Sequence, residues 1–272
     1  PSQSSAASDV YKRQLLGKVL LYQDKFAEAA SALDNVIGIY SLVSDYGSQF
    51  LRFGENGPES VFEIQYSNQS NWYDWGCAHC SEGNYAIIMN GPRGWSGPEY
   101  AQGWSFNVPT EEFYNSFEEG DSRRDATVLD IEAFATANNA TYTEGYEHTG
   151  YFNNKYIPRA GESGGQTELN YLSNFRIIRY SDVLLMAAEA YNRGGIDDGL
   201  AQEFLNQVRR RAFGDDDHDI SASGTALTDA IWEERKFELS LEGHRFFDLV
   251  RTGRASSLIA GFVEGKHEVF PI

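Results

Sequence analysis

Leu227-Thr-Asp-Ala-Ile-Trp-Glu-Glu-Arg-Lys-Phe-Glu-Leu-Ser-Leu-Glu-Gly-His-Arg-Phe-Phe-Asp-Leu-Val-Arg251 is the stretch from which the rest of the chain can be read. Leu227, Ile231, Arg235 and Leu239 stand four residues apart, a spacing that lines one face of a helix from about Leu227 to Glu242. Gly243 ends that helix, and a shorter helical piece follows through Phe246, Phe247, Leu249 and Val250. Glu234, Glu238 and Glu242 form a second stripe at the same spacing, beside Arg235 and the downstream Arg245 and Asp248. Charges that share a helix stripe read as an ion-pair network locking this helix to its neighbours, in preference to an acid–base constellation.

Working outward, helical periodicity returns twice. Leu16, Val19, Leu20, Phe26, Ala29, Ala30, Leu33, Val36 and Ile37 predict two amphipathic helices between Leu15 and Tyr40, meeting near Gln23-Asp24-Lys25. Gly17, Leu20, Ala29, Leu33 and Val36 fill the small and apolar slots of a tetratricopeptide-type pair, in which small residues let antiparallel helices approach closely. The second pair is predicted over Asp182 to Asn192 and Leu200 to Ala212, divided by Gly194-Gly195. Residues 44–176 between them are rich in Gly, Asn, Tyr and Trp, with Val61 to Tyr66 reading as a strand and Ala86 to Met89 as a possible second. Residues 1–14 are small and polar and change abruptly at Leu15, so they are expected to be a leader outside the fold.

Composition narrows the function classes. The 272 residues carry 22 Lys+Arg against 40 Asp+Glu, a formal charge of −18, which argues against a nucleic-acid partner, since phosphate binding needs a basic face. The longest apolar run, Val183 to Ala188, is six residues, whereas a membrane-spanning helix needs roughly twenty. The two cysteines, Cys77 and Cys80, lack the companion ligands of a zinc site and read as a local disulfide or as two free thiols.

Three blocks carry a resemblance. The opening stretch runs on to Thr252-Gly253-Arg254. A second block is Asn154-Lys155-Tyr156 followed by Phe175-Arg176-Ile-Ile-Arg179-Tyr180-Ser-Asp-Val-Leu-Leu-Met-Ala-Ala-Glu189-Ala-Tyr191. The third spans Trp104 to Arg124, with Val108-Pro109-Thr110, Phe117 and Gly120-Asp121-Ser122-Arg123-Arg124. Together they resemble the SusD/RagB family of surface glycan-binding lipoproteins, from about residue 15 to 272. The resemblance implies a mainly α fold of tetratricopeptide-like helix pairs with a large loop-rich insertion containing a few short strands. It implies capture of oligosaccharide or polysaccharide without catalysis, and delivery to a SusC-like TonB-dependent transporter. It also implies the outward face of the outer membrane and a lipid anchor, in a protein that is usually much longer. One SusD-like domain is expected, divided into the leader at 1–14, a helix pair at 15–43, the glycan-binding insertion at 44–176 and a helical part at 177–272.

Holding a sugar requires flat apolar faces for the pyranose C–H groups and polar side chains for its hydroxyls. Four of the five tryptophans fall within residues 66–104, where uniform scatter would put fewer than one. The predicted glycan-binding residues are Trp72, Tyr73, Trp75, Trp95 and Tyr100 with Asn71, Asp74 and Arg93. Trp72, Trp75 and Trp95 are flanked by polar or glycine residues and so read as exposed platforms, whereas Trp104 fits platform or core. No cofactor is expected; calcium at Asp215-Asp216-Asp217-His218-Asp219 is an alternative, although Ile220 and Ala226 stand where the helix–loop–helix pattern wants Gly and Glu. Gly161-Glu162-Ser163-Gly164-Gly165 fits the serine-nucleophile motif literally but lacks the buried strand before it and the helix after it. The rival functions are a protein–protein adaptor built on the helix pairs and an esterase or glycosidase.

Overall fold

The computed structural model describes residues 3–69, 75–164 and 169–268, with side chains from residue 10 onward except at 78 and 79. In chain order the elements are α1 (Gln3–Tyr22), α2 (Phe26–Asp34), β1 (Ser60–Ile64), α3 (Ala86–Asn90), β2 (Arg93–Ser96), α4 (Glu111–Asn115), α5 (Arg123–Thr127), β3 (Val128–Asp130), α6 (Ile131–Asn138), β4 (Thr141–Thr143), β5 (Tyr151–Asn153), β6 (Phe175–Arg179), α7 (Tyr180–Arg193), α8 (Asp198–Phe213), α9 (Gly224–Glu238), α10 (Arg245–Arg251) and α11 (Ala255–Leu258). The fold is mainly helical with a few short strands, as the periodicity predicts. Two compact units divide it: residues 1–39, 181–209 and 217–272 form a helical unit, and residues 40–180 with 210–216 form a loop-rich unit.

The helical unit buries Leu21, Ala29, Leu33 and Val36 from its first pair, Val183 to Ala190 from α7, and Leu205, Val208, Leu227 and Ile231 from α8 and α9. Gly17 sets the closeness of the first pair, since a Cβ there would lie 2.7 Å from Leu33 Cδ2. Helix α7 is buried on every side, so its carboxylates Asp182 and Glu189 are buried too and require cationic partners. The change of composition at Leu15 is not a structural boundary: α1 runs unbroken from Gln3, and Gln14 is fully buried. The array on α9 forms the expected ion-pair network with neighbouring helices. Arg235 faces Asp182 and Asp248 at 2.7 and 2.9 Å, while Glu234 faces Arg209 at 2.9 Å.

In the loop-rich unit three two-stranded antiparallel sheets pair β1 with β6, β2 with β4 and β3 with β5. The β1 strand, Ser60–Ile64, overlaps the predicted Val61–Tyr66 stretch but starts one residue earlier and ends two earlier. Residues 86–89, predicted as a possible strand, form helix α3 instead. A short apolar run does not reveal its period, and here side chains decide: Asn84 Oδ1 accepts from the Ala86 amide at 3.1 Å, and Asn90 Nδ2 donates to the Ala86 carbonyl. One core gathers Tyr46, Phe50, Ile87, Ile88, Tyr156 and Tyr171; a second gathers Tyr100, Leu129, Ile131, Phe152 and Ile157.

Candidate functional site

Within the loop-rich unit, Trp75 opens a short 3-10 turn, Trp75–Cys80, and its ring is 59% exposed. One face of the indole stacks on Trp104, with centroids 5.7 Å apart and planes inclined by 24°. Trp104 is itself half-buried against the Tyr46–Phe50 core. The backbone around it is fixed by four hydrogen bonds: Gly103 to Pro92, Trp104 to Ile88, Ser105 to Gly91 and Phe106 to Met89, each 2.7 to 2.9 Å from amide to carbonyl. Ser105 and Asn107 take left-handed φ values of 58° and 53°, a conformation unusual for residues with a side chain and one that such pinning sustains. The Arg93 amide donates to Ser105 Oγ at 3.2 Å, which places the exposed Arg93 close to this segment.

Other predicted residues go elsewhere. The Trp95 ring is not an exposed platform. It packs on Tyr100 and Phe134 at 6.1 and 5.9 Å, and its Nε1 is buried without a hydrogen-bond partner. Tyr100 is 5% exposed, with Arg159 over its ring at 5.3 Å and its hydroxyl donating to Asn154 Oδ1. Burial, then the neighbouring Glu99, pushes the Tyr100 hydroxyl up to about 12. Its polar neighbours in sequence gave no warning, because Phe134 and Arg159, which cover these rings, are remote in the chain. Asn71, Trp72, Tyr73 and Asp74 lie outside the described residues. Exposed aromatics of this unit that the sequence reading missed include Phe53, Tyr85, Phe106 and Tyr146, the last 90% exposed. Gly145 lies against Ser105, so the Tyr146 loop borders the segment that carries Trp104.

The clustered charges do structural work. In the helical unit Arg251 bonds both oxygens of Glu189 at 2.6 and 2.8 Å and also reaches Asp248. Burial alone would push the Asp182 carboxyl up, but Lys18 and Arg235 hold it well below the usual carboxylate range. In the loop-rich unit Glu59 accepts from Arg179 at 2.6 Å and from Arg211 at 3.1 Å. Lys155 lies over Phe50 at 4.9 Å, and Arg179 over the same ring at 5.4 Å. Asp121 takes the Arg123 guanidinium at 2.9 and 2.7 Å. Apart from the part-exposed Lys18, each of these side chains is buried, and each is answered by a fixed partner, which is the state of a structural charge and not of a group awaiting substrate. Ser163 forms an isolated bridge with Tyr171, with neither a strand before it nor a helix after it among the described residues. Among the described residues no group of three or more His, Cys, Asp or Glu side chains is placed to hold a metal ion, and no helix is long and apolar enough to cross a membrane.

The chain is similar to known proteins. The chain is 30% identical over 272 aligned residues to SusD-like protein P2 of Formosa agariphila, covering 92% of this chain and 50% of that protein. Among solved structures, a laminarin binding SusD-like protein superposes with a TM-score of 0.84 at 39% identity, over 96% of this chain and 58% of the other. Surface glycan-binding protein A from Bacteroides thetaiotaomicron, in complex with laminarihexaose, superposes with a TM-score of 0.82 at 33% identity, over 90% and 54%. The chain thus spans about half the length of the relatives it matches. The motif blocks named from sequence are the buried polar partners described above, and the SusD family model matches residues 58–267, which contain all three blocks. A helical unit locked by Arg235 and Arg251, and a loop-rich unit built around Lys155, Arg176 and Arg179, are what those blocks encode: the chain belongs to the SusD family.

Proposed function

We propose that this protein captures oligosaccharide on the aromatic face of its loop-rich unit and hands it, unaltered, to a TonB-dependent transporter of the outer membrane. The observation that carries the reading is Trp75, an exposed indole backed by Trp104. An exposed flat ring is costly in water unless something covers it, and the C–H face of a pyranose is a matching cover. Trp104 fixes the plane of that ring, so little freedom is lost when a sugar docks. Arg93, and Asn71, Trp72, Tyr73 and Asp74 in the adjoining segment, supply further contacts and hydroxyl partners in this reading. Laminarin-type oligosaccharide is the first ligand to try, because the two similar solved structures named above are of a laminarin binding protein and of a complex with laminarihexaose. The outward face of the outer membrane, a lipid anchor and a SusC-like partner complete the proposal, supported by family membership.

The test is a laminarihexaose titration followed by tryptophan fluorescence, with thin-layer analysis of the recovered sugar. Trp75→Ala is expected to lose on the order of 1 to 3 kcal/mol of binding, the range for flat ligands on aromatic platforms, with its melting temperature unchanged. Full affinity in Trp75→Ala moves the site elsewhere, and shortened sugar after prolonged incubation replaces the carrier reading with an enzymatic one.

A further inference from the structure

We propose that the Cys77–Cys80 disulfide is a positioning element for Trp75, setting the platform before any sugar arrives; the proposal rests on the glycan-binding reading above. The two cysteines are bonded across a sequence separation of 3, with Cα atoms 5.3 Å apart. So small a ring removes little freedom from the unfolded chain compared with a long loop, and its effect therefore lies in local shape.

The local shape needs support. The Trp75–Cys80 turn is broken in its middle, where Cys77 adopts φ −145° and ψ 66°. A regular 3-10 ladder does not run through such a residue, whereas the disulfide bridges it. Beyond the turn the chain is fastened to the loop-rich unit. Ser81 Oγ lies 3.1 Å from the Leu169 carbonyl and 3.2 Å from Asn170 Oδ1, and the Ser67 amide donates to the Glu82 carbonyl at 2.9 Å. Gly83 lies so close to Asn170 that a Cβ would come within 2.3 Å of its Cα.

Trp75 therefore stands six residues from the nearest of these anchors, Ser81. The disulfide carries the fastened stretch back to Cys77, two residues from the indole. On its other side the ring rests on Trp104, whose own backbone is pinned. A short lever between two fixed points has few alternative positions, so the platform loses little conformational freedom on binding.

The stacked indoles supply a reporter that requires no ligand. The far-UV circular dichroism difference between the parent chain and Trp75→Ala isolates the exciton couplet of the Trp75–Trp104 pair. Cys77→Ser/Cys80→Ser is expected to lose most of that couplet, to melt within about 2 °C of the parent, and to bind laminarihexaose about tenfold more weakly. A couplet of full amplitude in the double-serine variant overturns the proposal, whatever the sugar does. If that variant does not fold, the couplet recorded before and after phosphine reduction of the folded parent decides the same point. Unchanged laminarihexaose affinity in Trp75→Ala refutes the glycan reading of that ring and leaves the couplet test standing. Weak binding by Trp75→Ala beside normal binding by the double-serine variant refutes the positioning role alone.

Discussion

The helical unit and the loop-rich unit both bury arginines, and they satisfy them in different ways. In the helical unit Arg235 and Arg251 meet Asp182, Glu189 and Asp248, carboxylates delivered by α7 and α10, with a single ring, Tyr22, beneath Arg251 at 5.2 Å. In the loop-rich unit Lys155, Arg176, Arg179 and Arg211 gather around Glu59, Glu63 and the rings of Tyr46 and Phe50. Regular helices repeat their geometry, so a carboxylate can be placed opposite each guanidinium by spacing alone. Irregular loops offer no such repeat. An aromatic face attracts a cation from a broad cone of directions and tolerates the looser placement.

Acid should break the comparison most. Asp182, Glu189 and Asp248 are pushed up by burial but held below their ordinary values by the neighbouring cations. A folded pKa below the unfolded one means that the unfolded chain takes up protons first. The stabilisation is therefore complete above the ordinary values of 3.8 and 4.5 and is lost as pH falls through the depressed ones. Burial lowers His244 as well, which adds a loss beginning as pH falls below its ordinary 6.5. Hydrogen exchange at pH 7, 5.5 and 2 is expected to show the amides of α7 and α9 opening slightly by pH 5.5, through His244, and far more at pH 2, through the carboxylates; full protection at the lowest pH would remove the network from the account.

Arg235→Ala is the largest single substitution. It leaves Asp182 and Asp248 without their shared guanidinium and is expected to cost about 4 kcal/mol, read from urea unfolding or as lost folded yield. Trp95→Ala should cost about 3 kcal/mol while laminarihexaose affinity stays at the parent level, the reverse of Trp75→Ala. A normal melt with lost binding would restore Trp95 to the platform. Phe50→Leu probes the aromatic neutralisation directly. It removes the face shared by Lys155, Arg176 and Arg179 and is expected to cost about 1 to 2 kcal/mol by thermal unfolding. If it proves harmless, carboxylates alone carry the cations in both units.

These contrasts explain how far the sequence could be read. Helices α7, α8 and α9 were legible because their apolar residues repeat with the helical period and glycines mark their ends. The fate of Trp75 and Trp95 was not, since both stand among polar and glycine residues. Trp95 is covered by Phe134 from α6, whereas Trp75 keeps one face open. The α3 helix escaped for a related reason, being decided by Asn84 and Asn90 and not by a period. The charged motif residues were recognisable as a pattern, yet their partners, such as Glu59 for Arg179, are separated by 120 residues and leave no local trace.

That separation has a consequence for the order in which the protein is built. Strand β1 pairs with β6, and Glu59 meets Arg211 only after a further 152 residues have been made. Strand β1 and the neighbouring Glu59 therefore find their partners only through contacts of long sequence separation. The loop-rich unit is thus closed by residues that follow its own loops in the chain, and pairings of such separation are slow to form.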